Sequence, residues 1–419
     1  MTTPWWIFGA LSGASSVAFG AFGAHGLKGR GIAPEKIASW QTAAHYQLIH
    51  SVAILVAEQA APKNVWAKGL FTAGIIGFSG SIYALVLNKE LKFLGPVTPI
   101  GGVCLIGGWL ALAFARTGAK SRFDDFVVTH LNQTKTVHFT GNFLSWHRYY
   151  IWLYEKALRE ECGYKGYQPY WDWSMTAETG LLSTPIFDGS DTSLGGNGAY
   201  VGNRSDIVLG AGLNLPPIYV PTGSGGGCVG SGPFKDMTVN LGPVPLDSPG
   251  GVSEGPPSGN PLDWNPRRLR RDLVDAVNRR WANASSVVSL IANSKNIHDF
   301  QMTMQGVPGS GEIGVHGGGH YSIGGDPAID VFVGPGDPIF YLHHAMIDRV
   351  WWIWQHIENP FQRQFSDEAI SGTRTFLNTP PSANATRDDM IDFQYAAGPA
   401  RPIRDLTSTV DGPFCYVYL

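Results

Sequence analysis

The chain has 419 residues, of which 44% are hydrophobic and 15% charged, and a formal net charge of −3. That length admits two domains, and the absence of any basic run interleaved with aromatics argues against a nucleic-acid partner. The averages conceal a division near residue 120. Met1–Lys120 holds nine Lys/Arg against three Asp/Glu, a net of +6, whereas the other 299 residues hold 21 against 30, a net of −9.

Four apolar stretches fill the first part: Trp5–Gly23, Ala43–Ala61, Gly69–Leu87 and Phe93–Ala115. Each is about the ~20 residues that cross a bilayer as a helix. The second carries His45, His50 and Glu58 and is the weakest of the four; the others carry no charge. Small residues recur every four positions, as at Gly9 and Gly13 or Ala73, Gly77 and Ser81, which lets membrane helices approach closely. Four such stretches in 120 residues argue against buried helices of a soluble protein. A cleaved signal peptide is disfavoured too, because no basic residue precedes the first stretch and three more follow it. The expectation is a multi-pass membrane domain over residues 1–120, with the lipid bilayer as its partner. Charge does not orient it: Lys63, Lys68, Arg116, Lys120 and Arg122 on one side balance Lys28, Arg30, Lys36, Lys89 and Lys92 on the other.

The strings GAFGAHGLK (Gly20–Lys28), WQTAAHYQLIH (Trp40–His50), FSGSIY (Phe78–Tyr83) and TPIGG (Thr98–Gly102) resemble the domain of unknown function 423. That resemblance implies a small four-helix membrane domain and no established chemistry. His25, His45 and His50 are candidate ligands, with hydrogen bonding inside the bundle as the plainer role.

Chemistry gathers in two histidine clusters of the second part. His130, His138 and His147 fall eight and nine residues apart, too far for one helical face, so a loop is expected to bring His130 and His138 to a helix beginning near His147. Trp146, Tyr150, Leu153 and Ala157 repeat at helical period on that helix, and Glu155 lies two turns beyond His147, where a carboxylate binds a basic group or orients an imidazole. His316 and His320 are i and i+4, which places two imidazoles on one helix face. The three glycines between them argue for close backbone approach more than for helix propensity. Gly317 occupies the position that is a catalytic Glu in zinc proteases, which excludes that chemistry. His343 and His344 open another amphipathic helix, with Asp337-Pro338 as its start signal. Imidazole alone suits zinc, iron, nickel or copper.

HFTGNFLSWHRYYIWLYE (His138–Glu155) and DPIFYLHHAMID (Asp337–Asp348) resemble the two copper-site signatures of tyrosinases and catechol oxidases. PYWDW (Pro169–Trp173), NPRRLRRDL (Asn265–Leu273) and the closing CYVYL resemble the fungal members. The resemblance covers nearly all of Ser121–Leu419 and implies two copper ions, one held by His130, His138 and His147 and the other by His316, His320 and His344. It places His343 behind the ligands rather than among them. The implied substrates are a small phenol and dioxygen, with an o-diphenol, or an o-aminophenol, oxidised to its quinone form. Hydroxylation of a monophenol needs in addition a base for the phenol proton. Efficient tyrosinases often have Asn where this chain has Gly317, so weak monooxygenase activity is expected. Glu312 is the candidate for holding a water, Phe340 for a gate over one copper, and Tyr321 for lining the entrance.

Of four cysteines, Cys104 falls in the fourth apolar stretch, leaving Cys162, Cys228 and Cys415, an odd number that implies a missing partner or a free thiol. In some fungal relatives a Cys bonds the second ligand; the corresponding residue here is Thr136, so that cross-link does not form. Sequons at Asn132, Asn203, Asn283 and Asn384 suit a glycoprotein whose catalytic domain is lumenal or extracellular. The expected fold is mainly α. A four-helix transmembrane domain is followed by a helical-bundle dicopper domain (121–419, shortened at its start) covered by long irregular loops such as Gly180–Pro261. A reversible oxygen carrier and an inactive membrane protein are the competing readings.

Overall fold

The computed structural model describes residues 3–61, 64–114, 118–210, 215–244, 256–393, 396 and 398–419. It comprises two compact units, Met1–Arg116 and Thr117–Leu419. Lys63 and Arg116, which enter the charge count, Ala115, and parts of the Gly180–Pro261 loop lie outside the described residues.

Among the described residues, the first unit is built on four long helices, with a 3-10 turn at Lys89–Leu94 before the last. α1 spans Pro4–Gly29 and passes through a π-helical turn at Phe22–Gly26. α2 spans Pro34–Ala60. α3 spans Val65–Leu87 with a second π turn at Ile75–Gly80, and α4 spans Val97–Phe114. Prolines at the first helical position start α1 and α2, where the missing N–H has no helical partner to lose. α1 and α3 are long and apolar enough to cross a membrane, and α4 holds a shorter apolar run, Val97–Leu112.

α3 and α4 meet through glycine. A side chain on Gly101 would strike the Phe78 backbone, and one on Gly77 would lie 3.1 Å from the Gly101 Cα. Several polar groups inside the unit find partners, although the buried Thr72 hydroxyl has none. Gln47 Nε2 donates to the Ser12 carbonyl at 3.0 Å, its Oε1 accepts from the Tyr83 hydroxyl at 3.0 Å, and Lys68 pairs with Glu58 at 2.5 Å. Such satisfaction is required where water is absent. His50 is buried, facing the Tyr46 carbonyl through Nδ1 at 2.7 Å and accepting from Trp109 Nε1 at 3.1 Å, whereas His25 and His45 are exposed.

The second unit is mainly helical. α5 (Arg122–Val137) is capped by Ser121, whose hydroxyl accepts from Asp124 N at 3.2 Å, and Asp124 and Asp125 suit the positive end of its dipole. His130 lies in mid-helix, and the short turn at 138–142 is the loop that brings it and His138 to the next helix. α6 (Phe143–Glu160) starts one turn ahead of His147. α7 (Trp173–Thr179) is capped by Asp172, and α8 (Asp275–Trp281), α9 (Ala284–Asn293) and α10 (Ile297–Gln305) follow. α11 (Gly314–Ile323) carries His316 and His320, and α12 (Ile339–Ile357) carries the His343–His344 pair. Asp337 Oδ1 accepts from Ile339 N at 3.1 Å, so the Asp-Pro start signal acts as a cap.

The stretch read as an irregular loop contains short antiparallel ladders. Gly198–Tyr200 pairs with Gly226–Val229, and Ile207–Leu209 pairs with Ile218–Val220. Two aromatic-rich clusters form the core. One contains Trp171, Trp173, Phe300, Trp351 and Trp354; the other contains Phe126, Trp146, Tyr150, Phe340, Tyr341 and Phe393. α6 and α12 are the helices on which both clusters draw. The four cysteines are unbonded, so no disulfide staples the described residues.

Candidate metal centre

Four helices deliver histidines to one buried locus. α5 contributes His130, the residue just past its end is His138, and α6 contributes His147. The ligating atoms of these three lie within 4.8 Å of one another. α11 contributes His316 and His320 and α12 contributes His343 and His344, again with ligating atoms within 4.8 Å. The groups face each other: the His147 and His344 rings stack at 4.4 Å and 16°, and the His138 and His316 centroids are 5.8 Å apart.

The hydrogen bonds on Nδ1 decide which nitrogen is free. His130 Nδ1 meets the Phe332 carbonyl at 2.9 Å, His138 that of Thr134 at 3.0 Å, His147 that of Phe143 at 2.8 Å, and His320 that of Ala328 at 3.1 Å. A carbonyl only accepts, so each Nδ1 carries the proton and each Nε2 keeps its lone pair. The Nε2 atoms of His130, His147 and His316 are buried with no hydrogen-bond partner, an arrangement that is costly unless something else coordinates them. His320 Nε2 and His344 Nε2 stand 3.3 Å apart, the spacing of two nitrogens sharing one ion at imidazole–metal bonds of about 2.0–2.1 Å. Neutral, all-imidazole donors in two buried groups fit a pair of copper ions.

Electrostatics point the same way. Burial holds His138 down to about 4 and His320 to about 3, and it pushes His130, His147, His316 and His344 well below the ordinary value. All are therefore neutral and ready to bind metal at neutral pH. In the copper-free protein these lowered values leave stability unchanged above the unfolded value of about 6.5, and they cost stability as pH falls below it, because the unfolded chain takes up protons that the buried imidazoles refuse. Thermal melts of copper-free protein should show a midpoint falling steadily from pH 6.5 to 4. A midpoint unchanged over that range would contradict this electrostatic picture.

Two buried ion pairs and one loop hold the frame. Arg148, next to His147, donates from Nε to Asp348 Oδ1 at 2.6 Å, and Asp348 Oδ2 accepts from the Tyr416 and Tyr418 hydroxyls, each at 2.6 Å. Arg271 pairs with Asp337 at 2.6 Å with both side chains fully buried. The loop between α11 and α12 presents the Ala328 and Phe332 carbonyls, one to each histidine group. Asp330 braces that loop by accepting from Phe332 N at 2.9 Å and from Val244 N at 2.8 Å. Sequence reasoning missed these supports, because no local pattern announces a partner 200 residues away.

The other sequence candidates are spread out. Phe340 is buried and stacks on His344 at 4.1 Å and 25°, with the His130 centroid 5.2 Å away, so it touches both groups. Gly317 lies on α11 between the two histidines, where a side chain would press on Ile313 Cβ at 2.9 Å. Tyr321 is half-buried against the patch of Trp281, Ile313 and Val277. Glu312 is 59% exposed at its side chain and accepts from Trp281 Nε1 at 2.6 Å. Glu155 bonds Arg159 and Gln168 N rather than an imidazole. The three glycines of α11 sit within a helix and also permit close approach: a side chain on Gly319 would overlap the His343 ring. That ring accepts through Nδ1 from Trp173 Nε1 at 3.1 Å.

Residues 120–357 match the model of the common central domain of tyrosinase, and residues 19–102 match that of the protein of unknown function DUF423. Tyrosinase P of Aspergillus terreus is 40% identical over 300 residues, which cover 71% of this chain and 81% of that protein. The N-acetyl-6-hydroxytryptophan oxidase of Emericella nidulans is 39% identical over 318 residues, 72% of this chain and 82% of that protein. A solved structure of polyphenol oxidase from Thermothelomyces thermophila, a glycine-to-asparagine variant, is 46% identical. It superposes with a TM-score of 0.64, covering 72% of this chain and 79% of that one.

Proposed function

The chain belongs to the tyrosinase family of copper-dependent oxidoreductases, and from that premise we propose that it oxidises o-diphenols to o-quinones with dioxygen. His130, His138 and His147 hold one copper ion, and His316, His320 and His344 hold the other. Bound copper supplies the electron exchange: two diphenols give up four electrons and four protons, and one dioxygen takes them up to leave two waters. The observation that carries this reading is the set of buried Nε2 atoms without partners, facing one another from two histidine groups.

The chain's own residues do the rest. Carbonyls of Phe332, Thr134, Phe143 and Ala328 aim each Nε2 inward and fix its protonation. Phe340 and the aromatic core exclude water around the reacting atoms. Phe340 is read as the gate over one copper and Tyr321 as lining the entrance. Neither candidate supplies a base beside His316: Gly317 offers no side chain, and the Glu312 carboxylate is exposed and held by Trp281. Glu312 is therefore the weakest of the four catalytic candidates.

An oxygen electrode tests the reading. Copper-loaded protein should consume oxygen readily with catechol, more slowly with an o-aminophenol, and about 100-fold more slowly or worse with a monophenol, the usual worth of a missing general base. Monophenol turnover equal to catechol turnover would overturn the argument from Gly317, and no catechol turnover would overturn the function.

We also read the first unit as a four-span membrane domain over residues 1–120 that places the catalytic domain, 121–419, on the lumenal or extracellular side. α1 and α3 support the membrane location by length and composition, and the four sequons support the side. The full chain should stay in the membrane pellet under alkaline carbonate, and its mass should fall on treatment with an N-glycosidase. Release by carbonate would contradict the membrane reading, and an unchanged mass would contradict the side.

A further inference from the structure

Seven histidines crowd the centre, six of them buried and His320 half-buried, and the proposed copper set uses six. His343 is left over, although neither burial nor distance excludes it. Its ring is fully buried, its Nε2 lacks a hydrogen-bond partner just as those of His130, His147 and His316 do, its ligating atom lies within 4.8 Å of those of His316, His320 and His344, and its centroid is 4.5 Å from that of His320. What sets it apart is the partner on Nδ1. Four of the proposed ligands place Nδ1 against a backbone carbonyl, which only accepts, whereas His343 places Nδ1 3.1 Å from the Trp173 indole nitrogen, which only donates. A neutral imidazole carries one proton. With Nδ1 accepting, that proton sits on Nε2, which then offers a metal no lone pair.

We propose that Trp173 is a positioning residue for the copper pair: its indole N–H locks His343 in the tautomer that cannot bind metal and so keeps a seventh imidazole off the second copper. The inference rests on the six-histidine assignment above. Trp173 is built to hold this pose. It is the first residue of α7, directly after the Asp172 cap, whose Oδ1 accepts from Ser174 N at 3.0 Å. Its carbonyl accepts from Thr176 Oγ1 at 3.1 Å and from Asn278 Nδ2 at 3.2 Å, and its ring is fully buried. Gly319 leaves room for the His343 ring to lie beside α11. Without the indole donor, the proton of His343 is free to move to Nδ1, and its Nε2 becomes a fourth nitrogen competing for the position that substrate needs.

The test uses the full chain loaded with copper. In Trp173→Phe the chain should still bind two copper ions. The mean nitrogen count per copper from X-ray absorption should rise above that of the wild type, and kcat/KM for catechol should fall about tenfold or more. Both should return towards wild type in the double variant Trp173→Phe/His343→Gln. A merely structural role for Trp173 predicts that the double variant is no better than the single. If Trp173→Phe does not fold, benzothienylalanine at position 173, which replaces the N–H by sulfur and keeps the ring shape, should give the same rise in nitrogen count. An unchanged coordination number, or a double variant that fails to recover, overturns the proposal alone. Wild-type protein holding fewer than two copper ions overturns it together with the dicopper reading.

Discussion

Replacing His147 with alanine is expected to take bound copper from two ions to about one per chain and to reduce catechol oxidation by more than the ~10–100-fold typical of losing a supporting group. His147 is chosen because it stands between the two groups. Its Nδ1 is tied to the Phe143 carbonyl, its Nε2 is buried and unpartnered, and its ring stacks on His344. Removing it leaves the first copper with two nitrogens and exposes the second to a gap. Metal analysis and an oxygen electrode on the same preparation read both effects. His298→Ala, an exposed histidine on α10, is the control and should keep both copper and activity. Two copper ions retained in His147→Ala would contradict the assignment of this residue.

The second large effect is on stability. Arg148→Met should destabilise the catalytic unit by about 3–5 kcal/mol, because it strands the buried Asp348 carboxylate without its cation. Arg148 joins three distant parts of the chain. It reaches Asp348 on α12 through Nε, the Thr407 carbonyl through one terminal nitrogen at 2.7 Å, and Gln355 Oε1 through the other at 3.0 Å. Its guanidinium also stacks over Trp351 at 3.7 Å. A drop of several degrees to about 10 °C in the melting midpoint is expected, with copper loss in parallel, because α6 and α12 carry ligands to opposite copper ions. The double variant Arg148→Met/Asp348→Leu should recover much of the loss, since it removes both charges together. If the single variant melts like the wild type, this pair does not hold the helices together.

Much of the function was legible in two strings of sequence. The signatures around His138–Glu155 and Asp337–Asp348 carry the family, and the structure assembles their histidines with His130, His316 and His320 in one buried place. The membrane-like first part was legible for a simpler reason: long uncharged stretches leave few alternatives to apolar helices. What stayed hidden depends on distance along the chain. The helix around His130 gave no sequence signal, because VVTHLNQTKTV is rich in β-branched and polar residues with modest helix propensity; α5 gains its stability from the Ser121 cap and from packing of Phe126 and Val137. The braces Arg148–Asp348, Arg271–Asp337 and Trp173–His343 join residues 66 to 200 positions apart, and no periodicity reports such pairs. Glu312 shows the opposite limit. Its spacing from His316 made it a candidate, but spacing alone says nothing about exposure, and the Trp281 indole holds it at the surface.

The most direct test of the account is the copper content of purified, folded full-length protein, measured with catechol-driven oxygen uptake on the same sample. The account predicts two copper ions per chain and oxygen uptake that disappears when a chelator removes them and returns when copper is restored. Well-folded protein that holds one copper ion or fewer under copper-replete conditions would contradict it.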